Sequence, residues 1–260
     1  NGEDRLTQPM LKQGGEWKTV DWQTALEYVA NGLKQVKADH GASAIGLLAS
    51  PHSTVEELAL AGALVRGLGS ENIDARLRTA DFSNLGAPGT ARWLGRSLAS
   101  LSTVQRVLVV GSNLRKDQPL MAQRLRQAVR QGAQLSALVS QPIDWAMRVQ
   151  QTLVAPSSQW VMALAGVAAA VAEAQGVAAP VSATPSDTYR AIAQSLMGGE
   201  DKAILLGNAA AHHEKASSLL ALAQWIGERT GASVGYLGEA ANSVGAPLVR
   251  AVPGQGGQNA

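Results

Sequence analysis

The sequence predicts an α/β protein in which parallel sheets carry helices on both faces. Short runs of apolar residues such as "RVLVVG", "QLSALVS" and "KAILLG" have the length and composition of buried strands. Longer stretches whose apolar residues recur at helical spacing lie between them, so strand and helix alternate along the chain. Gly closes several of the strand runs just ahead of a helix, where an open α/β sheet turns the chain back. The 260 residues suffice for one large or two modest α/β domains with a real core.

The elements follow in order. "DWQTALEYVANGLKQVKADHG" places Trp22, Ala25, Leu26, Val29, Ala30, Leu33 and Val36 on one helical face, with Asp21 to cap its start and Gly41 to end it. "AIGLLAS" is a buried strand, and "STVEELALAGALVRGLG" is the next helix, with Ser53 and Glu56 at the spacing of a capping box. "ENIDARLRTADFSNLGAPGTARWLG" is polar, Gly-rich and without a period; such a segment inside an α/β domain belongs to a site or a former site. The strand "RVLVVG", a helix from about Asp117 to Gln131 and the strand "QLSALVS" complete a unit.

After "QTLVAP", a helix is expected from about Ser158 to Gln175, since "WVMALAGVAAAVAEA" is too short and Ala-rich to cross a bilayer. The Pro- and small-residue-rich "GVAAPVSATPSD" is a linker to a helix over Thr188 to Met197. The strand "KAILLG", a long helix from about His212 to Thr230 and the strand "ASVGYLG" form a second unit that echoes the first. The expected organisation is an entry segment and helix over 1–43, a first Rossmann-like unit over 44–150 and a second, truncated one over 151–260.

Composition excludes several functions. A net charge of +2 asks for neither nucleic acid nor a membrane surface as partner. Without cysteine there is no disulfide framework, thiol nucleophile or Cys-ligated iron–sulfur cluster within these residues. The chain starts without Met or a signal peptide and ends on the loop-like "VPGQGGQNA", so a piece of a longer polypeptide is expected.

Gly111-Ser112-Asn113 and Gly207-Asn208 stand at predicted strand ends ahead of helices, where backbone N–H groups receive anions. They read either as two ends of a dinucleotide-like cofactor site or as turns that need a small residue; neither is a full G-x-G-x-x-G, which counts against NAD. His212-His213-Glu214 is a poor metal site, because adjacent helical residues point apart. Arg76, Arg78 and Arg92 can hold an anion or pair with Asp74 and Asp81. No nucleophile–base arrangement is readable, so no catalytic residue is assigned.

Against this background, "RLTQPMLKQGGEWKTVDWQTAL" resembles the molybdopterin oxidoreductase superfamily. Arg5-Leu6-Thr7, Pro9-Met10, Gly15, Trp17, Trp22 and Ala25-Leu26 match its R-L-T-x-P-M … G-x-W … W-x-x-A-L pattern. "RVLVVGSNLRKDQPLMAQRLRQAVRQGAQ" and "ILLGNAAAHHEKA" extend the resemblance over nearly the whole chain. Within the superfamily, "NIDARLRTADF" and "LGEAANSVGA" look most like the large iron–sulfur subunits of bacterial NADH:quinone oxidoreductase (respiratory complex I).

The resemblance carries expectations about the site. Active family members place a metal ligand shortly after an N-x-D-x-x-x-R-like stretch; aligning Asn72, Asp74 and Arg78 puts Ala80 there, with Asp81 and Ser83 as nearby oxygen donors. The family's Asp-Pro-Arg, whose acid fixes a nucleotide part of the cofactor, is replaced by Val139-Ser140-Gln141, and the Pro after the Gly turn by Leu114. Each buried donor of the nucleotide left without its acceptor would cost about 1–3 kcal/mol.

The resemblance to the complex I subunits implies a vestigial metal-ligand region at Ala80, Asp81 and Ser83 and a vestigial cofactor site at Gly111, Ser112, Asn113, Gly207 and Asn208. It implies no cofactor or metal in this segment, with iron–sulfur clusters carried upstream, and a role as scaffold for the electron-transfer arm. The implied partners are the upstream iron–sulfur domain and other proteins of the peripheral arm, in a cytoplasmic setting peripheral to the inner membrane without direct insertion. The alternative is part of an active enzyme such as a formate dehydrogenase, binding molybdopterin guanine dinucleotide at the two Gly turns with Asp81 or Ser83 on the metal.

Overall fold

A computed structural model describes residues 2, 5–76, 78–83 and 91–260. Part of the predicted irregular segment, Leu77 and residues 84–90, thus lies outside the described residues. The chain divides into two compact units, residues 1–75 with 249–260 and residues 76–248.

The first unit opens on a hairpin that the sequence pattern does not announce, β1 (Met10–Gln13) and β2 (Glu16–Thr19), paired antiparallel around Gly14 and Gly15. Both turn glycines have positive φ, 61° and 89°, which suits a tight two-residue hairpin turn. Helix α1 (Trp22–His40) follows, its first turn capped by the Asp21 carboxylate, which accepts from the Thr24 amide at 2.7 Å. The strand expected in "AIGLLAS" shrinks to β3 (Leu47–Leu48), parallel to β4 (Ile73–Asp74).

Helix α2 (Val55–Gly67) is capped one residue later than expected. Thr54 accepts from the Glu57 amide and Glu57 accepts from the Thr54 amide, so the capping box is Thr54/Glu57 rather than Ser53/Glu56. Leu58, Val65, Ile73 and Ala75 supply part of a small core. The chain's last residues return to this unit: Arg66 donates to the Arg250 carbonyl at 2.9 Å and pairs with Glu71, and the Gln258 amide donates to Asn72 Oδ1.

The second unit is built on a five-stranded parallel sheet. Its strands are β5 (Arg106–Val110), β6 (Gln134–Val139), β7 (Gln151–Val154), β8 (Lys202–Leu206) and β9 (Ser233–Tyr236), in the spatial order β7-β6-β5-β8-β9. Period-two alternation sorts the strand residues between two cores. Val107, Val109, Leu135, Ala137, Val139, Ala203 and Leu205 face α4 (Pro119–Arg130). Leu108, Val110, Leu138, Ile204 and Leu206 face α5 (Trp160–Gln175), α6 (Asp187–Met197) and α8 (Ala216–Thr230). The α/β class with helices on both faces is therefore as predicted.

β5 pairs with β8 over its whole length, so strands from both expected Rossmann-like units share one sheet. Two helices begin a few residues later than expected, each preceded by a separate short helix. Pro119 forces its predecessor out of the helical region, leaving Gln118 at φ −141°, so a short α3 (Leu114–Asp117) precedes α4. The helix expected from His212 begins at Ala216 as α8; a short α7 (Asn208–Ala211) precedes it, the two separated where His213 Nδ1 accepts the Lys215 amide. A last turn, α9 (Gly245–Leu248), ends this unit.

Candidate functional site

The chain leaves β5 toward β6 and β7 on one side and toward β8 and β9 on the other, so the strand order reverses between β5 and β8 while all strands stay parallel. In open α/β sheets this reversal opens a crevice beyond the carboxyl ends of the two central strands, the usual place for a ligand. Gly111-Ser112-Asn113 and Gly207-Asn208 stand at those ends, one after each of the two neighbouring strands.

The geometry explains both glycines by protein packing. Gly111 sits at φ +69°, and a Cβ there would come within 2.7 Å of the Ala210 nitrogen and the Trp160 ring. A Cβ on Gly207 would meet Ser112 Cβ at 2.4 Å and the Gly111 carbonyl oxygen at 2.5 Å. The two turns lie directly against each other, stitched by Gly207 N–H to the Val110 carbonyl and Ala209 N–H to the Gly111 carbonyl.

Two of the donors at the first turn are already engaged. Asp117 Oδ2 accepts from the Ser112 hydroxyl at 3.0 Å and the Asn113 amide at 2.8 Å, so the chain supplies its own carboxylate to the turn. Two side-chain acceptors stand beside them: Asn113 Oδ1 and Asn208 Oδ1 are buried and have no hydrogen-bond partner among the described residues. The strand-end position at Val139 is buried in the α4-side core and offers no acceptor, while Ser140 and Gln141 are exposed.

The region matched to the metal ligand is equally specific. Ala80 is exposed and ends in a methyl group. Asp81 is buried, but its carboxylate is spent within the protein. Oδ2 accepts the Ser217 amide at 2.8 Å and the Ser217 hydroxyl, and Oδ1 accepts the Ser83 amide at 3.0 Å. Ser217 lies in the first turn of α8, so Asp81 caps that helix from a distant part of the chain. Burial is the largest influence on Asp81 and works to raise its pKa. The hydrogen bonds from Ser217 and Ser83 together outweigh it and hold the group well below the ordinary carboxylate range. Ser83 is exposed.

The histidines are structural too. His213 Nε2 donates to the Ser157 carbonyl at 2.9 Å, Nδ1 accepts from Lys215, and the ring stacks on Trp160. His212 turns away to meet Glu239 Oε2 at 2.8 Å, and Glu239 also pairs with Arg78. Arg92 lies over the Tyr236 ring and donates to the Ala211 carbonyl. Arg76 lies over Phe82. Among the described residues no cluster of His, Asp and Glu could hold a metal ion. Sequence reasoning missed Asp117, Trp160, Ser217 and Glu239 as parts of this region; only Asp117 is local enough to have been found, from its spacing behind Ser112 and Asn113.

A five-stranded parallel sheet with a reversal point in its strand order and helices on both faces defines a doubly wound, Rossmann-like α/β fold. A family model for molybdopterin oxidoreductases matches residues 5–259, and the chain belongs to that family. Among curated proteins it is 27% identical over 136 residues to the probable oxidoreductase YjgC of Bacillus subtilis, covering 49% of this chain and 13% of that one. It is 28% identical over 134 residues to a putative formate dehydrogenase of Staphylococcus aureus strain MRSA252, covering 49% of this chain and 13% of that protein. The chain thus spans a small part of the length of these relatives. Among solved structures, acetylene hydratase from Pelobacter acetylenicus superposes with a TM-score of 0.55 at 18% identity, over 96% of this chain and 36% of that one. The formyltransferase/hydrolase complex from Methylorubrum extorquens gives 0.57 at 20% identity, over 88% and 60%. At these identities the structures establish the fold alone.

Proposed function

We propose that this chain is a molybdopterin oxidoreductase domain that has kept the fold and given up the metal. It would serve, as in the large iron–sulfur subunits of NADH:quinone oxidoreductase (complex I), as a scaffold beside an electron-transfer domain. The observation that carries this reading is Asp81. It is the acid nearest the metal-ligand position, and its two oxygens are taken by Ser217 and Ser83 while Ala80 presents only hydrocarbon. A metal centre does not fit these donors. The apolar Val139 and the Asp117-capped turn speak in the same sense about the nucleotide part of the cofactor. In this reading the partners are an iron–sulfur domain of the same polypeptide and neighbouring proteins of the peripheral arm, at the cytoplasmic side of the inner membrane. No helix among the described residues is long and apolar enough to cross a membrane.

A second reading has its own observation. Asn113 Oδ1 and Asn208 Oδ1, both buried and unpartnered among the described residues, would accept hydrogen bonds from a nucleotide's hydroxyl or N–H groups. That suits the nucleotide end of a molybdopterin dinucleotide in a working oxidoreductase, the class named for the Staphylococcus aureus relative.

Elemental analysis and oxidised-pterin fluorescence separate the two. The protein is purified from a host making the cofactor, with a known molybdoenzyme from the same host as positive control. The scaffold reading expects molybdenum, tungsten and pterin at background. Stoichiometric metal with pterin overturns it.

A further inference from the structure

β9 is an outer strand of the five-stranded sheet, with β8 on one side only. An outer strand leaves a row of backbone N–H and C=O groups to which another strand can add. Its sequence, Ser233-Val234-Gly235-Tyr236, carries no charge or proline to discourage such pairing. The Leu237 amide donates inward to the Leu206 carbonyl of β8, so the Tyr236 amide points outward.

Residues 92–96 lie across that edge. The Tyr236 amide donates to the Trp93 carbonyl at 2.8 Å. Gly95, at φ +74°, comes so close that a Cβ would run into the Val234 carbonyl oxygen, and a Cβ on Gly235 would run into that of Leu94. The segment therefore passes backbone against backbone over β9, yet it is not a strand of the sheet.

An arginine pins each end of the segment. Arg96, with its side chain 9% exposed, donates to both Asp201 carboxylate oxygens at 2.7 Å and to the Ser100 hydroxyl at 2.7 Å. It also reaches the Lys202 carbonyl and the Ser233 hydroxyl, at the starts of β8 and β9. Arg92 lies over the Tyr236 ring and donates to the Ala211 carbonyl at 2.7 Å. The fastening rests on side chains rather than on a backbone ladder, so it can be undone while the five paired strands stay whole.

We propose that residues 92–96 are a guard on the sheet edge: while pinned, they keep β9 from pairing with β9 of a second copy of this chain. A second copy is the partner that a freed edge selects. Across a two-fold axis each β9 would satisfy the outward groups of the other at once, joining two sheets into one. All of these residues belong to the second unit, and the guard stands whether or not the crevice at β5 and β8 holds a cofactor.

The test uses the full natural polypeptide, its Arg96→Ala variant and the milder Arg96→Lys. Arg190→Ala, which breaks an exposed ion pair with Glu173, is the control. Sedimentation velocity over a concentration series reads self-association, and hydrogen–deuterium exchange with mass spectrometry reads the peptide spanning β9. Arg96→Ala should dimerise several-fold more strongly than the natural polypeptide or Arg190→Ala. Its β9 peptide should exchange fast when dilute and slowly again where the dimer forms. Where Arg96→Ala does not fold, Arg96→Lys carries the same expectations. A folded variant that releases β9 but stays monomeric overturns the proposal, as does a dimer whose β9 peptide still exchanges fast. Protection of β9 equal to the natural polypeptide in both Arg96 variants overturns it too. So does failure of both to fold, since a guard can leave a sheet that stands without it.

Discussion

Replacing Asp81 tests whether this acid is a helix cap or a ligand in waiting. In Asp81→Ala, the Ser217 amide and hydroxyl and the Ser83 amide lose their acceptor in a buried setting. Hydrogen bonds to a charged group contribute about 1.5–3 kcal/mol each, but they are not additive here, and solvent can enter to repair part of the loss. Loss of a helix cap alone costs about 0.5–2 kcal/mol. A destabilisation of about 2–4 kcal/mol follows for the second unit. Asp81→Asn, which keeps one acceptor oxygen, should lose roughly half as much.

The pH dependence gives a sharper signature. Asp81 has a folded pKa held below its unfolded value, so its contribution is fully present above the unfolded pKa of about 3.9 and is lost as pH falls toward the folded one. The stability gap between the natural chain and Asp81→Asn should therefore be level from about pH 5 to 8 and close below about pH 4. Urea unfolding at pH 7 and pH 3, followed by tryptophan fluorescence, measures the gap, and hydrogen exchange at the Ser217 amide localises it. A gap under about 0.5 kcal/mol at pH 7, or one that widens in acid, would refute the reasoning, since surface changes ordinarily fall within that margin.

Two further substitutions probe the sheet. Gly111→Ala places a Cβ at φ +69° against Ala210 and Trp160, and should lower the stability of the second unit by about 2–4 kcal/mol. If nucleotide binding were the glycine's only purpose, thermal denaturation of this variant would match the natural chain. Ser136→Ala should be neutral or stabilising by up to about 1 kcal/mol, because Ser136 Oγ is buried in β6 with no partner among the described residues. A clear loss in urea unfolding would reveal a hydrogen bond there.

Much of the architecture was legible because the signals are local. The strands β5, β6, β8 and β9 are short apolar runs, and α5 is a long one; burial of both faces of a parallel sheet writes itself into consecutive residues. Where prediction slipped, a neighbouring residue competed. Thr54 took the capping box from Ser53 because either hydroxyl with an acid three residues on satisfies the same rule. The hairpin of β1 and β2 escaped because its strands are four residues each, half-buried or exposed, with no apolar alternation to announce them.

The site was legible as a place and not as an arrangement. Gly111 and Gly207 could be set at strand ends from the sequence, but their packing against each other depends on β5 lying beside β8, across nearly a hundred residues of chain. Likewise Ala80 is a missing donor in any alignment, whereas the engagement of Asp81 rests on Ser217, 136 positions away.

The sequence by itself determined which segments become strands and helices, and that no side chain at position 80 can hold a metal, because propensity, periodicity and donor chemistry reside in single residues and their near neighbours. Tertiary structure decided that two strand–helix patterns share one sheet, and that Asp117 and Asp81 are engaged by Ser112, Asn113, Ser83 and Ser217. Those outcomes depend on which distant groups approach within hydrogen-bonding or van der Waals range, and sequence order alone does not encode that distance.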